Sequence, residues 1–547
     1  MKRHIKYLIG TGALLSVIAT GCKKDFFNRP PEDRSTVGTY YQTDAQVQSS
    51  TNILYAAPWF GFNGKAFLAI GDLQSGNARC DAGTDGEFDS FRNFTEGNAT
   101  LAVQSTWNSL YTVVAQSNAL LNNLTVSGSL TPAVVNNALG EAHLMRAAAY
   151  FYLVRLFGNV PIITNPTDFV NNFQTVPTNP VTDVYKFILN DLQFAEANCS
   201  KGVASTGHVS SASASALMAK VYLYKQDYAN ARTEAEKVIN SGEFGLIGLD
   251  FAGSYTGLFE TAGNNNKESI IALQWTSNGG YGFGNQIQSV IAIGDNGNFL
   301  TGTGDGYGEL GPTWDLQDAF KASGDTIRRH GSIMLPGEYY AELHKASGGY
   351  TCPVSVNEQG THAGMKKYVV GTPADNNGNS AAQATSNNTY IMRYADVYLI
   401  EAEAILGASA NPGAGHGLDT NASTSDATAL KYLNLVRQRA GLPAKTSVTF
   451  RDIIKERRLE FAIEGEYWYD LQRLDGFNSA THAVARAIIA TQNKGSSSGA
   501  GTAPNYTDYT RSTQYIVPTD AQFFIPIPAT DVAADPNLTK PPVPYKF

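Results

Sequence analysis

The chain has 547 residues, of which 40 are Lys or Arg and 48 are Asp or Glu, so its formal net charge is −8. A basic cluster is needed to bind nucleic-acid phosphates, and the sequence has none, so we expect no nucleic-acid partner. A hydrophobic content of 43% and a mean hydropathy of −0.21 exclude a mostly disordered chain and a polytopic membrane protein.

The N-terminal residues have the composition of an export signal. Three Lys or Arg residues among the first six precede an apolar stretch, Tyr7–Thr20, which is shorter than the roughly 20 residues that span a bilayer. Small residues then lead directly into Cys22. This ending resembles a bacterial lipobox, whose cysteine is acylated and becomes the mature N-terminus; an ordinary signal peptide with a chance cysteine is the alternative. We predict a lipoprotein signal peptide over residues 1–21, lipidation of Cys22 and a lipid-anchored tether over residues 22–35.

Helical periodicity is strong in separate blocks along the chain. Apolar residues recur there at steps of three and four, which is the pattern of an amphipathic helix. Small residues recur beside aromatic ones in the paired blocks, which is typical of tetratricopeptide-like hairpins. We therefore predict an all-α fold on a tetratricopeptide-like helical-repeat scaffold. The predicted helices are Val103–Leu124, Glu141–Phe157, Val184–Ala197, Ser210–Tyr224, Tyr228–Ser241, Tyr394–Leu406, Ala427–Arg439 and Phe450–Leu474.

Two stretches, Trp59–Phe94 and Phe244–Asn388, lack this periodicity. Both are rich in glycine and short polar residues, and single aromatic residues stand between the glycines. Irregular stretches of this length are usually functional loops. We predict long irregular loop insertions in the scaffold, with minor β structure at Ser269–Gln274 and Gln522–Ile527.

The motifs that could support catalysis or metal binding all lack the context they need. Gly495–Gly499 matches GxSxG, but no strand precedes it and no helix follows it. Asp81–Gly86 half-matches a calcium loop but lacks its third ligand and closing glutamate. Glu456, Glu460 and Glu464 share one predicted helix face, where interleaved basic residues indicate a salt-bridged surface rather than an acid pair. We predict a binding protein that is not an enzyme and has no metal or cofactor.

The remaining cysteines, Cys80, Cys199 and Cys352, are far apart in the sequence. They do not have the paired spacing of a zinc site. One disulfide with an unpaired cysteine and three buried thiols are both compatible with the sequence.

Several motifs occur together, in one order, along the whole chain. They include charged residues at otherwise apolar helix positions, which we expect in structural ion pairs because buried charge must be paired. The expected pairing residues are Arg146, Arg393, Asp396, Arg437, Arg439, Glu460 and Asp470. The motif segments are Trp107–Tyr111, Leu144–Ala147, Leu156–Pro161, Arg393–Ala404, Asn434–Gly441, Glu456–Phe461, Glu464–Arg473 and Ile525–Pro528. From Cys22 to the C-terminus this set resembles the SusD/RagB-like family of nutrient-binding lipoproteins, with Asp535 where the family usually has asparagine.

The resemblance implies a tetratricopeptide-like fold and a lipid-anchored lid over a SusC-like TonB-dependent transporter. It implies the capture of oligosaccharides or polysaccharide fragments; a RagB-type receptor for peptides is the alternative. The run Lys23–Asp25 resembles the export signals of Bacteroidetes surface lipoproteins, so we expect the protein on the outer membrane, facing the cell exterior. Residues 36–243 are then the N-terminal helical part, and residues 244–547 the C-terminal part with the loop insertion 244–388.

The ligand-binding residues must be argued from chemistry. Aromatic rings stack on the apolar faces of sugars, and Asp, Asn and Arg exchange hydrogen bonds with the hydroxyl groups. The loop Gly71–Arg79 resembles a family loop whose Asp and Arg contact glycan, and aromatic residues flank it or stand in the second insertion. The candidates are Asp72, Arg79, Trp59, Phe91, Trp275, Tyr281 and Tyr307.

Replacing Cys22 with serine should release the protein from the membrane fraction, because the acyl chains attach through the cysteine thiol. Immunoblots of membrane and soluble fractions measure the change, and a Cys352→Ser control should remain membrane-bound. Membrane association of Cys22→Ser equal to that of the unchanged chain would contradict lipidation.

Overall fold

The computed structural model describes residues 41–125, 128–166, 172–202, 206–294, 300–410, 422–494 and 516–547. Helices dominate these ranges, which confirms the all-α prediction. No helix in the described ranges is both long and apolar enough to cross a bilayer. The predicted signal peptide, the tether, Cys22 and Gly495–Gly499 lie outside the described residues.

The α-helices have bounds close to those predicted for the scaffold. Polar side chains begin several of them; the Ser210 hydroxyl, for example, accepts from the N–H of Ser213 at the start of the fourth long helix. In chain order the helices are α1 (Asp44–Ser50), α2 (Lys65–Leu68), α3 (Gly86–Arg92), α4 (Leu101–Asn123), α5 (Pro132–Phe157), α6 (Val181–Asn198), α7 (Ser211–Tyr224), α8 (Tyr228–Ser241), α9 (Ile287–Ile291), α10 (Trp314–Ser323), α11 (Thr326–Ser332), α12 (Tyr394–Ala410), α13 (Ala427–Arg439), α14 (Phe450–Glu460), α15 (Tyr467–Gln472), α16 (Ala483–Ile489) and α17 (Ala529–Ala534).

The long helices pack in sequence order, each against the next, from α4 to α8. Helix α8 then packs against α12, so the residues between these two helices form an insertion beside the stack. Helix α12 continues the stack to α13 and α14. Small side chains such as Ala231 and Ala235 of α8 are fully buried, which lets neighbouring helices approach closely. This order confirms the predicted helical-repeat scaffold with a long loop insertion.

The β structure is confined to short antiparallel pairs. The longest pair joins β2 to β10, and the predicted strand Ser269–Gln274 is confirmed within one residue. The predicted strand at Gln522–Ile527 is wrong, because residues Asp520–Phe523 form a 3₁₀ turn. The strands are β1 (Ala78–Arg79), β2 (Ser269–Leu273), β3 (Gly311–Pro312), β4 (Ile333–Met334), β5 (Tyr339–Tyr340), β6 (Tyr350–Thr351), β7 (Gly364–Met365), β8 (Ser380–Ala381), β9 (Ala384–Thr385), β10 (Thr389–Arg393), β11 (Ser423–Thr424) and β12 (Val448–Thr449).

The predicted single helix Phe450–Leu474 is wrong, because α14 ends at Glu460 and α15 begins at Tyr467. Ile463, between them, has a φ of 61°, which is incompatible with a helix. The carboxylate of Asp72 accepts hydrogen bonds from the backbone N–H groups of Ile463 and Gly465, both at 2.9 Å. A tertiary contact therefore stabilises the break.

A buried ion cluster joins the insertion to the C-terminal helices. Arg393 contacts Glu268 at 2.5 Å, Glu460 at 3.0 Å and Glu464 at 2.7 Å. Arg439 also binds Glu268 and Glu460. Arg328, on α11, contacts Glu460 at 3.1 Å. Burial raises the pKa of Glu460, but the charges of Arg439, Arg393 and Arg328 outweigh it and hold that pKa well below its usual range.

A second buried cluster joins α7, α12, α14 and α15. The Arg457 guanidinium contacts Asp396 at 2.5 Å and Asp470 at 2.8 Å. Lys220 contacts the other Asp396 oxygen at 3.0 Å. Arg473 contacts Asp470 at 2.9 Å. The two clusters confirm the predicted structural ion pairs of these motif residues.

The two predicted pairing residues outside these clusters also have partners. Arg146 contacts Asp191 at 2.7 Å, and Arg437 contacts Glu456 at 2.7 Å. One related expectation is wrong: Glu456, Glu460 and Glu464 are not on a salt-bridged surface, because they are at most 4% exposed in their side chains. Burial of these carboxylates is possible because each is paired with at least one arginine.

All three cysteines in the described ranges are free and buried. Burial raises the pKa of the Cys80 and Cys352 thiols to about 12, so both are uncharged at neutral pH. The structure therefore favours the buried-thiol alternative over a disulfide among Cys80, Cys199 and Cys352.

Replacing Asp396 with alanine should lower the free energy of unfolding by about 3–5 kcal/mol, because Arg457 and Lys220 lose a buried counter-ion. Chemical denaturation monitored by circular dichroism measures the loss. The control is Glu236→Ala, which removes an exposed partner of Arg232 and should change the free energy by less than about 0.5 kcal/mol. Equal losses for both variants would contradict the structural role of the buried pair.

Candidate functional site

A groove of about 740 Å³ lies where the two loop insertions meet the start of α4. Its lining combines aromatic rings with amide, hydroxyl and charged groups, which is the composition expected for a site that binds a polyhydroxylated ligand. The aromatic, amide and charged side chains of the lining include Phe60, Asn63, Lys65, Asp85, Glu87, Tyr281, Tyr307, Glu309 and Gln383.

An aromatic wall forms one side of the groove. Tyr281 is 66% exposed, and its ring meets the ring of Phe60 edge-on, with centroids 4.9 Å apart. Behind Phe60 lies Trp275, whose centroid is 6.5 Å from that of Phe60. Tyr307 is 48% exposed and lines the same groove. The wall therefore presents ring surface to solvent while a buried tryptophan supports it from behind.

The position of Tyr281 follows from the glycines beside it. Gly280 has a φ of 67° and Gly282 a φ of 96°, a region that side chains with a Cβ rarely adopt. The turn closes with a hydrogen bond from the Phe283 N–H to the Gly280 carbonyl at 3.1 Å. This turn projects Tyr281 away from the protein, so little of the ring is used for packing.

Tyr307 is held through a network around a buried carboxylate. The Gln383 side-chain amide donates to the Tyr307 hydroxyl at 3.2 Å. The Gln383 backbone N–H donates to Asp305 at 2.7 Å, and the Ser289 hydroxyl donates to the same oxygen. Burial raises the pKa of Asp305, but the hydrogen bonds from Gln383 and Ser289 outweigh it, so the net shift is downward. Asp305 thus fixes the loop that positions Gln383 and Tyr307.

A charged region follows the aromatic wall along the groove. The Lys65 ammonium contacts Asp85 at 2.5 Å and Glu309 at 3.1 Å. Both oxygens of Asp85 are used by the protein, because the second one accepts from the N–H groups of Glu87 and Phe88 and so begins α3. Burial raises the pKa of Glu87, and the negative charge of Asp85 adds to that shift.

The two insertions are tied together under the groove by asparagine side chains. Asn63 donates to Asn285 at 3.3 Å, and Asn285 donates to the carbonyl of Asn387 at 3.0 Å. Asn285 also donates to the Thr389 hydroxyl, which accepts a further hydrogen bond from Trp275. These bonds cross the predicted division at residue 243, so both parts of the chain build the groove.

The predicted site residues divide between the groove and the core. Tyr281 and Tyr307 line the groove, and Trp275 lies behind it with only 6% of its surface exposed. Trp59 and Phe91 are fully buried, so neither ring presents a stacking face to the groove in this structure. The Trp59 indole N–H donates to the carbonyl of Leu54 at 2.8 Å, which satisfies its polar atom within the core.

Asp72 and Arg79 are also placed in the interior. Asp72 is fully buried and bonds the backbone of the α14–α15 break, and burial raises its pKa to about 6. Gly71 lies so close to Gly465 that an added Cβ would be 2.2 Å from the Gly465 Cα. Arg79 is 5% exposed and binds Asp81. In this structure both side chains bond other parts of the chain, and their role as ligand contacts stays a prediction.

The sequence-based prediction missed Phe60, Lys65, Glu87, Glu309 and Gln383. Phe60 is the residue after Trp59, and only the phase of the short 3₁₀ turn Ala57–Trp59 decides which ring is exposed. The other four come from the starts of two helices, α2 and α3, and from two loops, without a shared local motif. Their position between glycines is the sequence feature that identified Tyr281 and Tyr307 as groove residues.

Another cavity, of about 470 Å³, lies beside α4 and is mostly apolar. Its two largest polar side chains are already paired, since Trp107 donates to Asp531 at 3.1 Å and Tyr111 donates to the carbonyl of Pro161 at 2.9 Å. Few polar groups are left to orient a sugar there. Among the described residues, no group of His, Cys, Asp and Glu is arranged to hold a metal ion.

Family models match two parts of the chain. Residues 267–543 match the model described as the SusD family. Residues 87–223 match the model described as starch-binding associating with outer membrane. The first match covers most of the insertion and the C-terminal helices. The second covers helices α4 to α7.

Individual proteins are similar over nearly the full length. A SusD-like protein from Bacteroides ovatus is 32% identical over 99% of this chain and 98% of its own length. A structure solved with a xylogluco-oligosaccharide is 30% identical, with a TM-score of 0.78 over 92% of this chain and 99% of that one. A laminarin-binding SusD-like protein has the same fold, with a TM-score of 0.66 over 90% of this chain and 98% of that one, at 24% identity.

Replacing Asp72 with alanine should destabilise the fold, because the buried N–H groups of Ile463 and Gly465 lose their acceptor. Each unpaired group costs about 1–3 kcal/mol. Asp72→Asn, which keeps one acceptor oxygen, should lose less. Thermal melts rank the three proteins; an Asp72→Ala variant that melts normally but no longer binds ligand would instead make Asp72 a ligand contact.

Proposed function

The chain belongs to the SusD family, and we propose that it is a glycan-binding lipoprotein that captures oligosaccharides at the outer membrane. The observation that carries the proposal is the groove in which the exposed rings of Tyr281 and Tyr307 stand beside amide and carboxylate groups. An exposed ring in a folded protein loses hydrophobic stabilisation, so a wall of such rings indicates a ligand that covers it.

The chemistry of the groove suits a sugar. Pyranose rings have apolar C–H faces that stack on aromatic rings, and the Tyr281 ring offers such a face. Their hydroxyl groups need both donors and acceptors, which the amide of Gln383 and the carboxylates of Glu87 and Glu309 supply. The similar protein solved with a xylogluco-oligosaccharide supports a glycan as the ligand of this chain.

We propose binding without cleavage. Glycoside hydrolysis needs two free carboxyl groups placed on either side of the bond. In this groove Asp85 and Glu309 are both paired with Lys65, and Asp85 also begins α3, so Glu87 is the one lining carboxylate without an ion pair among the described residues. Bound oligosaccharide should therefore be recovered unchanged.

Delivery to a SusC-like TonB-dependent transporter completes the proposal. The lipobox-like Cys22 and the Lys23–Asp25 run support a lipid anchor on the outer membrane with the protein facing outward. Capture at that surface requires a transporter to carry the sugar inward. A peptide ligand of the RagB type is the competing function, and the binding panel below includes it.

Calorimetric titration of the purified full chain with xylogluco-, laminari- and malto-oligosaccharides and a mixed peptide pool tests the ligand class. At least one oligosaccharide should bind, and chromatography should recover it intact. Tyr281→Ala should weaken that binding by about two- to twelve-fold, because the loss of one stacked ring costs about 0.5–1.5 kcal/mol.

The control is Tyr339→Ala, which removes a ring that is 54% exposed but does not line the groove. Its affinity should equal that of the unchanged chain. Binding of peptides alone, or cleavage of the sugar by the pure protein, would overturn the proposal.

A further inference from the structure

We propose that the groove selects neutral glycans and rejects glycans that carry carboxylate or sulfate groups. This inference rests on the proposed function and specifies its substrate class. It follows from the charged side chains that line the groove and from how they are paired.

The charges in the groove are unbalanced. Among its described lining residues, Lys65 carries the single positive charge, and Asp85, Glu87 and Glu309 are acidic. One positive and three negative charges give −2 when all four groups are ionised. Lys65 contacts Asp85 and Glu309 simultaneously, so its ammonium is already neutralised and is not free to attract an anionic ligand.

Glu309 contributes negative charge beside the groove. Its Oε1 atom accepts from Lys65 at 3.1 Å, whereas its Oε2 atom is buried and has no hydrogen-bond partner in the protein. Because Lys65 also pairs with Asp85, one ammonium balances two carboxylates there, and a negative charge remains. A ligand carboxylate or sulfate placed in the groove would be repelled by it, whereas a neutral hydroxyl group would not.

Glu87 is half-buried and has no ion pair in the described structure, and burial raises its pKa. It lies two residues from Asp85, on the first turn of α3, and faces the groove. Its carboxylate accepts hydrogen bonds but does not donate them when ionised. Glu87 is therefore a specificity residue: it offers an acceptor to neutral sugars and repels anionic ones.

The screening of this repulsion by salt is also predictable. The Debye length is about 8 Å at 0.15 M ionic strength and about 3 Å at 1 M. Repulsion between a ligand carboxylate and the acidic groups of the groove should thus weaken as salt is added. Stacking on Tyr281 should be nearly unaffected, because it is mainly non-ionic.

The test uses matched pairs of probes on the full chain: xylogluco-, laminari- and malto-oligosaccharides, and the same sugars oxidised at their primary hydroxyls to carboxylates. Calorimetric titration at low salt should give at least about tenfold weaker binding for the oxidised member of any pair that binds. The ratio of the dissociation constant of the oxidised probe to that of its neutral partner should fall when sodium chloride is raised to 1 M.

The variant Glu87→Gln removes one negative charge without disrupting an ion pair. It should reduce the ratio of the dissociation constants, oxidised probe over neutral probe, by at least about threefold. Glu236→Gln, an equal change of net charge on α8 outside the groove lining, should leave the ratio unchanged.

The outcomes separate the two proposals. If none of the six probes binds, the proposed glycan-binding function fails and the inference fails with it. If an oxidised probe binds as tightly as its neutral partner, or if Glu87→Gln and Glu236→Gln give the same ratio, charge selection is wrong while glycan binding stands.

Discussion

The fold depends on the pairing of Arg393 with Glu460 and their neighbours in the interior. Each of these side chains is at most 1% exposed, and an unpaired charge at such a position costs several kcal/mol. Glu268, just before β2, Arg439, at the end of α13, and Arg328, on α11, complete the cluster. It therefore couples five segments of the chain: the residue before β2, α11, the end of β10, α13 and α14. The loop insertion is held to the helical stack by charge as well as by apolar contact.

The groove itself is organised by polar side chains that act on loop backbone. Asp305 fixes the segment that carries Gln383, and Asn285 joins the loop before β10 to Asn63. Asp72 likewise fixes the backbone at the break between α14 and α15 by accepting hydrogen bonds from it. Irregular segments lack the regular backbone hydrogen bonds of helices, so hydrogen bonds to buried carboxylates and amides fix their conformation instead. A site already held in one shape loses less conformational entropy when a ligand binds.

The sequence predicts the scaffold well because helical periodicity is a local property. The helices Tyr228–Ser241 and Ala427–Arg439 have their predicted bounds, whereas the break after Glu460 depends on Asp72, 391 residues before Ile463. The same reasoning applies to the site. Tyr281 stands between glycines and could be identified locally, but Lys65 and Glu309 are 244 residues apart and meet only in the folded chain. Burial of Trp59 could not be inferred either, because loop composition does not determine which ring faces inward.

The glycine turn around Tyr281 has a consequence for how the protein can diverge. Because Gly280 and Gly282 supply the backbone geometry, the side chain between them contributes little to folding, and a substitution there leaves the scaffold intact. By contrast, a change at Arg393 must be compensated at several positions at once. Ligand preference can therefore evolve by single replacements at the rim of the groove while the ionic interior keeps its sequence. A lineage that meets a new polysaccharide needs to alter only residues whose loss the fold tolerates.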